Sequence, residues 1–140
     1  MKIEATLVEI QEGFFVDPDA VAYAVEDMPH GNPSYTVPCG LAMANDTGPL
    51  HPLSTDFKTV VTGLNLMEVE GGLAINPRAI TRMHVQAKTR EENPTCVSVA
   101  FLKQTKVLHV EIDELVEMIS KHNGSGFGSC PRGIIRLKDI

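Results

Sequence analysis

The chain has 140 residues, enough for one domain with a core of its own, and 43% apolar with 21% charged residues is an ordinary composition for a globular protein. The formal net charge is −6, so a broad DNA-binding face does not fit. No apolar run approaches the roughly 20 residues that span a bilayer, and the opening MKIEATLVEI lacks the apolar segment of a secretory leader, so a cytoplasmic protein is expected.

In chain order, the first element is a strand in TLVEI, turned at Gly13 into a short strand that runs to Asp17-Pro18. An Asx-Pro pair marks a corner between strand segments. The chain continues as a strand in AVAYAV, a less regular strand in TVPCGLAMA, and the turn segment NDTGP. A helix follows, with Thr55 as its expected N-cap and Phe57, Val60, Val61 and Leu64 as its apolar stripe. Asn65 or Gly63 suits its C-terminal end.

The same order then begins again. LVEIQEGFFVDPDAV (Leu7 to Val21) matches LMEVEGGLAINPRAI (Leu66 to Ile80) at a constant offset of 59, with Leu, Glu, Gly, Pro and Ala coinciding. LHPLSTDFKTVVTGLN (Leu50 to Asn65) matches LHVEIDELVEMISKHN (Leu108 to Asn123) at an offset of 58. In the second copy CVSVAFL and KVLHVEI read as paired strands with KQT as their turn. The closing helix has Asp113 as its expected N-cap and Ile112, Leu115, Val116, Met118 and Ile119 as its stripe.

These elements give one domain over residues 1–140, with repeat one at about 7–65, repeat two at about 66–123 and a tail at 124–140. The expected class is α+β: an antiparallel sheet of about six strands from two βββα-like repeats, two helices packed on it, and a small C-terminal β extension.

Catalytic and metal motifs are weak. Cys39, Cys96 and Cys130 are three and far apart, which suits buried free thiols better than a disulfide framework or a zinc knuckle. His51 and His109 are repeat-equivalent but have no partner at metal-ligand spacing, so no metal and no cofactor is expected. His84 is expected to be partly exposed on its strand, and His30 sits in the turn MPHGNP. The string Gly124, Gly126, Gly128 follows a helix instead of joining a strand to one, which rules out a dinucleotide-fold reading. No hydrolase elbow, Walker loop or HExxH helix is present. The chain is therefore expected not to be an enzyme; chemistry through His51 or His109 is the competing idea.

The tail NGSGFGSCPRGIIRLKDI stands out. Arg132, Arg136 and Lys138 against Asp139 give it +2, leaving −8 on residues 1–123. Residues four apart on a strand share a face, so Arg132 and Arg136 lie about 13 Å apart on one side and can flank a phosphate-bearing ligand. The neighbouring glycines offer backbone N–H donors, and Phe127 can stack on a base or anchor the tail.

The strand, Asn-Pro-x-x-Ile, hairpin and helix pattern resembles small flagellar-operon proteins. The complete layout resembles more closely the phage anti-Thoeris sponge proteins of the first described type. That resemblance implies an antiparallel sheet with two helices and a small C-terminal two-stranded piece. It implies a protein that does no chemistry and sequesters a nucleotide-derived immune messenger of the glycocyclic ADP-ribose type, with cyclic oligonucleotides as further ligands of some members. Host anti-phage signalling of the Thoeris or CBASS kind would thereby be blocked in the host cytoplasm. It further implies a homo-oligomer, a dimer or higher up to a hexamer, with ligand held between protomers. Arg132 and Arg136 match the family's pair of C-terminal arginines four apart; Asn123 with Phe101 or Phe127 are candidates for its asparagine and aromatic. Gly126 and Gly133 complete the expected ligand-binding set, with no catalytic residue among them. The alternative is a regulatory protein-interaction module of the flagellar-operon kind.

Overall fold

The computed structural model describes residues 7–29, 35–86 and 96–123, with Asn123 as backbone alone. Within them the chain is α+β, with ten strands and two helices. Repeat one contains β1 (Val8–Gln11), β2 (Phe14–Val16), a 3₁₀ turn (Pro18–Ala20), β3 (Val21–Pro29), β4 (Thr36–Met43), β5 (His51–Leu53) and α1 (Phe57–Leu64). Repeat two gives the same series: β6 (Met67–Glu70), β7 (Leu73–Ile75), a 3₁₀ turn (Pro77–Ala79), β8 (Arg82–Val85), β9 (Val97–Ala100), β10 (Thr105–Leu108) and α2 (Ile112–Asn123). The division is finer than about six strands in one sheet because each repeat opens with a bulged hairpin and then a 3₁₀ corner.

Local chemistry explains the agreement between the copies. Gly13 and Gly72 close the two hairpins at φ 81° and 78°, a region that costs a glycine nothing. One residue bulges in each hairpin, and the pairs Gln11↔Phe14 and Glu70↔Leu73 are equivalent. At the corners the Asp17 side chain accepts from the Asp19 N–H, and the Asn76 side chain accepts from the Arg78 N–H. Proline follows both caps, where its fixed φ suits a first helical position.

The sheets reveal how the copies join. A five-stranded antiparallel sheet runs β5-β4-β3-β7-β6, a three-stranded sheet runs β10-β9-β8, and β1 pairs with β2 alone. Exchanging the repeats turns the first order into β10-β9-β8-β2-β1, which is the other two sheets placed end to end. The molecule is thus two equivalent halves, one with a continuous sheet and one divided between β8 and β2. The link between repeats is the β3–β7 ladder, with Tyr23 opposite Ile75, Ala24 opposite Ala74 and Val25 opposite Leu73.

The five-stranded sheet separates two apolar clusters. Cys39, Leu41, Ala24 and Ala74 face α1 and the β1–β2 hairpin, where Phe57, Val60, Leu64, Ile10 and Val16 complete the packing. Tyr23, Ala42, Leu73 and Ile75 face the three-stranded sheet and α2, against Val97, Val99, Phe101, Leu108, Leu115 and Ile119. Each fully buried Leu, Val or Phe contributes about 1.5–3 kcal/mol, so the five α1 and hairpin side chains named last in the first cluster, and their counterparts in the second, hold the helices to the sheets.

Both helix starts differ from expectation. The α1 N-cap is Asp56, whose side chain accepts from the Thr59 N–H at 3.2 Å and the Thr59 hydroxyl at 2.6 Å. Thr55 is drawn away because its hydroxyl donates to the Ile10 carbonyl at 2.7 Å. In α2 Asp113 is already in the first turn, since the Leu115 N–H donates to the Glu111 carbonyl at 2.9 Å. Asn65 ends α1 in the left-handed region, φ 51° and ψ 49°, as an Asn C-cap does. The hairpin turn before β10 runs through Phe101 and Gln104, whose N–H and carbonyl pair at 2.8 Å. Cys39 is buried and Cys96 half-buried, neither of them in a disulfide, and Cys130 lies outside the described residues. Among the described residues no helix is long and apolar enough to cross a membrane.

Candidate functional site at the repeat junction

The two 3₁₀ corners meet, and the duplication makes their contacts legible. Asp19 and Arg78 occupy equivalent positions, and the Arg78 Nε donates to Asp19 Oδ1 at 2.9 Å. The arginine is nearly buried, 9% exposed, while the carboxylate is 69% exposed. Arg78 Nη2 also donates to the Leu64 carbonyl at 3.0 Å, at the last turn of α1. A guanidinium suits this place because its rigid fork serves a carboxylate and a helix C-terminus together.

Beneath the pair lies Asn76, fully buried. Its Nδ2 donates to the carbonyls of Pro18 at 2.8 Å and Val21 at 2.9 Å, so repeat two supplies both hydrogen atoms that repeat one's corner needs. Asp17 holds the equivalent position and has no amide to return the bonds.

These corners form one wall of a cavity of about 280 Å³. Asp17, Asp19 and Arg78 line it with Ala20 and Ala79, together with Ala44, Asn45, Thr81 and Leu102. Ala44 and Thr81 are tied down by the Lys103 N–H donating to the Ala44 carbonyl at 2.7 Å and by the Thr81 hydroxyl donating to the carbonyls of Ala100 and Phe101 at 3.1 Å each. The lining is more apolar than polar; its charged groups are two carboxylates, which accept hydrogen bonds, and an arginine that is already engaged. Such a surface takes groups that donate hydrogen bonds, such as sugar hydroxyls or an exocyclic amine, and disfavours a bare phosphate at the carboxylates.

Two of the residues expected to bind ligand, Asn123 and Phe101, are described, and neither lines the cavity. Arg132, Arg136, Gly126, Phe127 and Gly133 lie outside the described residues. Asn123 is the last residue of α2. Phe101 is 2% exposed and packs in the core, its ring centroid 6.2 Å from that of Tyr23. His51, His84 and His109 are not among the residues that line the cavity. His51 Nε2 lies 3.4 Å from Asp46 Oδ2 and its ring meets Phe14 edge-on at 5.7 Å. The Asp46 carboxyl is held below its ordinary value, chiefly by the Gly48 N–H at 2.8 Å and then by His51. His109 pairs with Glu70 at 3.3 Å, and His84 is exposed on β8. His30 lies outside the described residues. Among the described residues no group of three or more His, Cys, Asp or Glu side chains is placed to hold a metal ion.

The motif reading passed over Asp17, Asp19, Asn45, Arg78 and Thr81. The signal for three of them was present: the repeat offset sets Asp17 against Asn76 and Asp19 against Arg78, and opposite or complementary chemistry at equivalent positions is what a pseudo-twofold contact requires. No family model, curated protein or solved structure matches the chain.

Proposed function

We propose that the protein binds and holds a nucleotide-derived signal of the cyclic ADP-ribose class without converting it, as a homo-oligomer that withdraws the signal from its receptor. The observation that carries the reading is the junction cavity. At about 280 Å³, with a largely apolar lining, it suits the nucleoside part of such a ligand, and its two carboxylates suit hydroxyl and amine donors. The phosphates then need a separate basic seat, and the reading assigns that role to the tail arginines Arg132 and Arg136, which lie outside the described residues.

The test is a capture and release measurement. The full chain is incubated with cyclic ADP-ribose and with its glycocyclic isomers, freed of excess by gel filtration, and heated. Mass spectrometry of the supernatant is expected to show the intact compound. A converted product identifies an enzyme, and an empty supernatant for every member of the class overturns the proposal. Arg132→Ala or Arg136→Ala should each weaken capture roughly 10–150-fold, the loss of one charge-assisted contact, and Lys should restore only part.

A second reading, a regulatory protein-interaction module, is favoured by one observation: Phe15 and Val85 are exposed on strands whose outer edges pair with nothing among the described residues.

A further inference from the structure

Two contacts join a residue to its own counterpart in the other repeat. Asp19 accepts from the Arg78 Nε, 59 residues on, and the Asp46 carbonyl accepts from the Gln104 side-chain amide, 58 residues on. A residue touches its own counterpart only at the axis that relates the two copies, as at an isologous interface. Two such contacts therefore fix an approximate internal twofold. The junction cavity lies on it, because Asp19 with Arg78, Ala20 with Ala79, and Ala44 with Leu102 are equivalent pairs and all line it.

At matched positions the two repeats offer different chemistry. Repeat one contributes the carboxylates of Asp17 and Asp19, the latter 69% exposed. Repeat two contributes polar groups that are already engaged: Arg78 on Asp19 and the Leu64 carbonyl, and the Thr81 hydroxyl on the carbonyls of Ala100 and Phe101. What repeat two leaves to a ligand is apolar, above all Leu102, which is 70% exposed although its counterpart Ala44 is buried at 2%. A seat on a twofold whose halves are unlike fits an unsymmetrical ligand in one orientation.

We propose that the cavity takes a single nucleoside unit in a fixed orientation, its base ring against Leu102 and Ala79 and its free ribose hydroxyls donating to Asp17 and Asp19, and that Leu102 and Asp17 set this specificity. A flat apolar ring matches the apolar part of the lining, and hydroxyl donors match the carboxylates. A cyclic dinucleotide is refused. Its two halves are alike, and its phosphodiester replaces a ribose hydroxyl and brings negative charge to the carboxylates. This selectivity rests on the same reading of the junction cavity as a ligand seat, but it requires neither the tail arginines nor oligomer formation.

The repeats supply substitutions that the fold already accepts. Asn stands at the Asp17 position in repeat two and Ala at the Leu102 position in repeat one, so Asp17→Asn and Leu102→Ala are expected to keep the parent's melting temperature. The full chain, with isotope-labelled Ala and Leu methyl groups, is titrated by NMR with adenosine, with dideoxyadenosine, which lacks both ribose ring hydroxyls, and with cyclic di-AMP. Adenosine is expected to shift the methyl signals of Leu102 and Ala79. Dideoxyadenosine should bind at least about 10-fold more weakly, through loss of charge-assisted hydrogen bonds, and cyclic di-AMP should leave both signals in place. Asp17→Asn and Leu102→Ala, the latter read at Ala79, should each weaken adenosine about 10-fold. Adenosine that moves neither signal overturns the proposal. So does equal binding of dideoxyadenosine or cyclic di-AMP, or parent affinity in either variant. If those results came with capture of intact cyclic ADP-ribose, sequestration would stand without this specificity. Adenosine bound as described, with no cyclic ADP-ribose captured, would remove sequestration and keep the specificity.

Discussion

Asn76 is the one fully buried polar side chain among the described residues, and each of its atoms has work. Its Oδ1 caps its own corner through the Arg78 N–H at 3.2 Å, and its Nδ2 satisfies two carbonyls of the other repeat. Repeat one shows that Asp serves the capping role equally well at Asp17, so Asn76→Asp isolates the donor role. Two buried carbonyls lose their partner, at about 1–3 kcal/mol each, and a carboxyl is placed in the interior. Burial disfavours the charged form, so the new carboxyl's pKa in the folded state is raised. A folded state that holds its proton longer than the unfolded one is favoured at low pH and loses that advantage as pH rises through the folded value. Urea melts of Asn76→Asp should therefore show a stability deficit that widens between pH 4.5 and pH 7.5 relative to the parent. A deficit equal at both pH values would show that the carboxyl escapes to water. By contrast the Cys39 thiol, pushed up to about 12 chiefly by burial, is inert packing material in ordinary buffers.

At the scale of elements, the two hairpins offer an internal control. Gly13 and Gly72 share a positive φ, so an added Cβ meets the same backbone penalty, about 1–2 kcal/mol. Surroundings barely alter this: a Cβ at Gly13 meets nothing within 4 Å, and at Gly72 it meets the Glu26 Cβ at 3.4 Å, an ordinary contact. Gly13→Ala and Gly72→Ala should cost nearly equal stability in denaturant melts. A Gly72→Ala cost far above that of Gly13→Ala would mean that the β3–β7 ladder strains when the turn is altered. The helix starts illustrate how local preference yields to a neighbour. Thr55 and Asp56 are both good caps, and the choice between them is made by the Ile10 carbonyl, 45 residues away in sequence.

At the scale of the molecule, the β3–β7 ladder makes the halves interdependent. Without β7, β3 in the first repeat loses its Tyr23, Ala24 and Val25 pairings, and Asn76 no longer satisfies the carbonyls of Pro18 and Val21. A chain ending at residue 65 should show no cooperative melt by circular dichroism, while the full chain should melt in one step. A cooperative melt of the isolated first repeat would show that the ladder only decorates two independent folding units.

The order of elements was determined by the sequence alone. The turn glycines, the Asx-Pro corners, the two apolar helix stripes and the α+β class all rest on interactions spanning a few residues, and the duplication states each of them twice. Arg132 and Arg136 could be picked out for the same reason, as a local departure from an acidic chain. Tertiary structure decided what no local pattern encodes. It chose β7 as the partner of β3 and left β8 and β2 apart, although the two pairings are equivalent by repeat. It brought Asp19 to Arg78 and aimed Asn76 at carbonyls 55 and 58 residues away, creating the junction cavity. Such contacts depend on closing long loops against chain entropy, so they form only when the whole core forms with them.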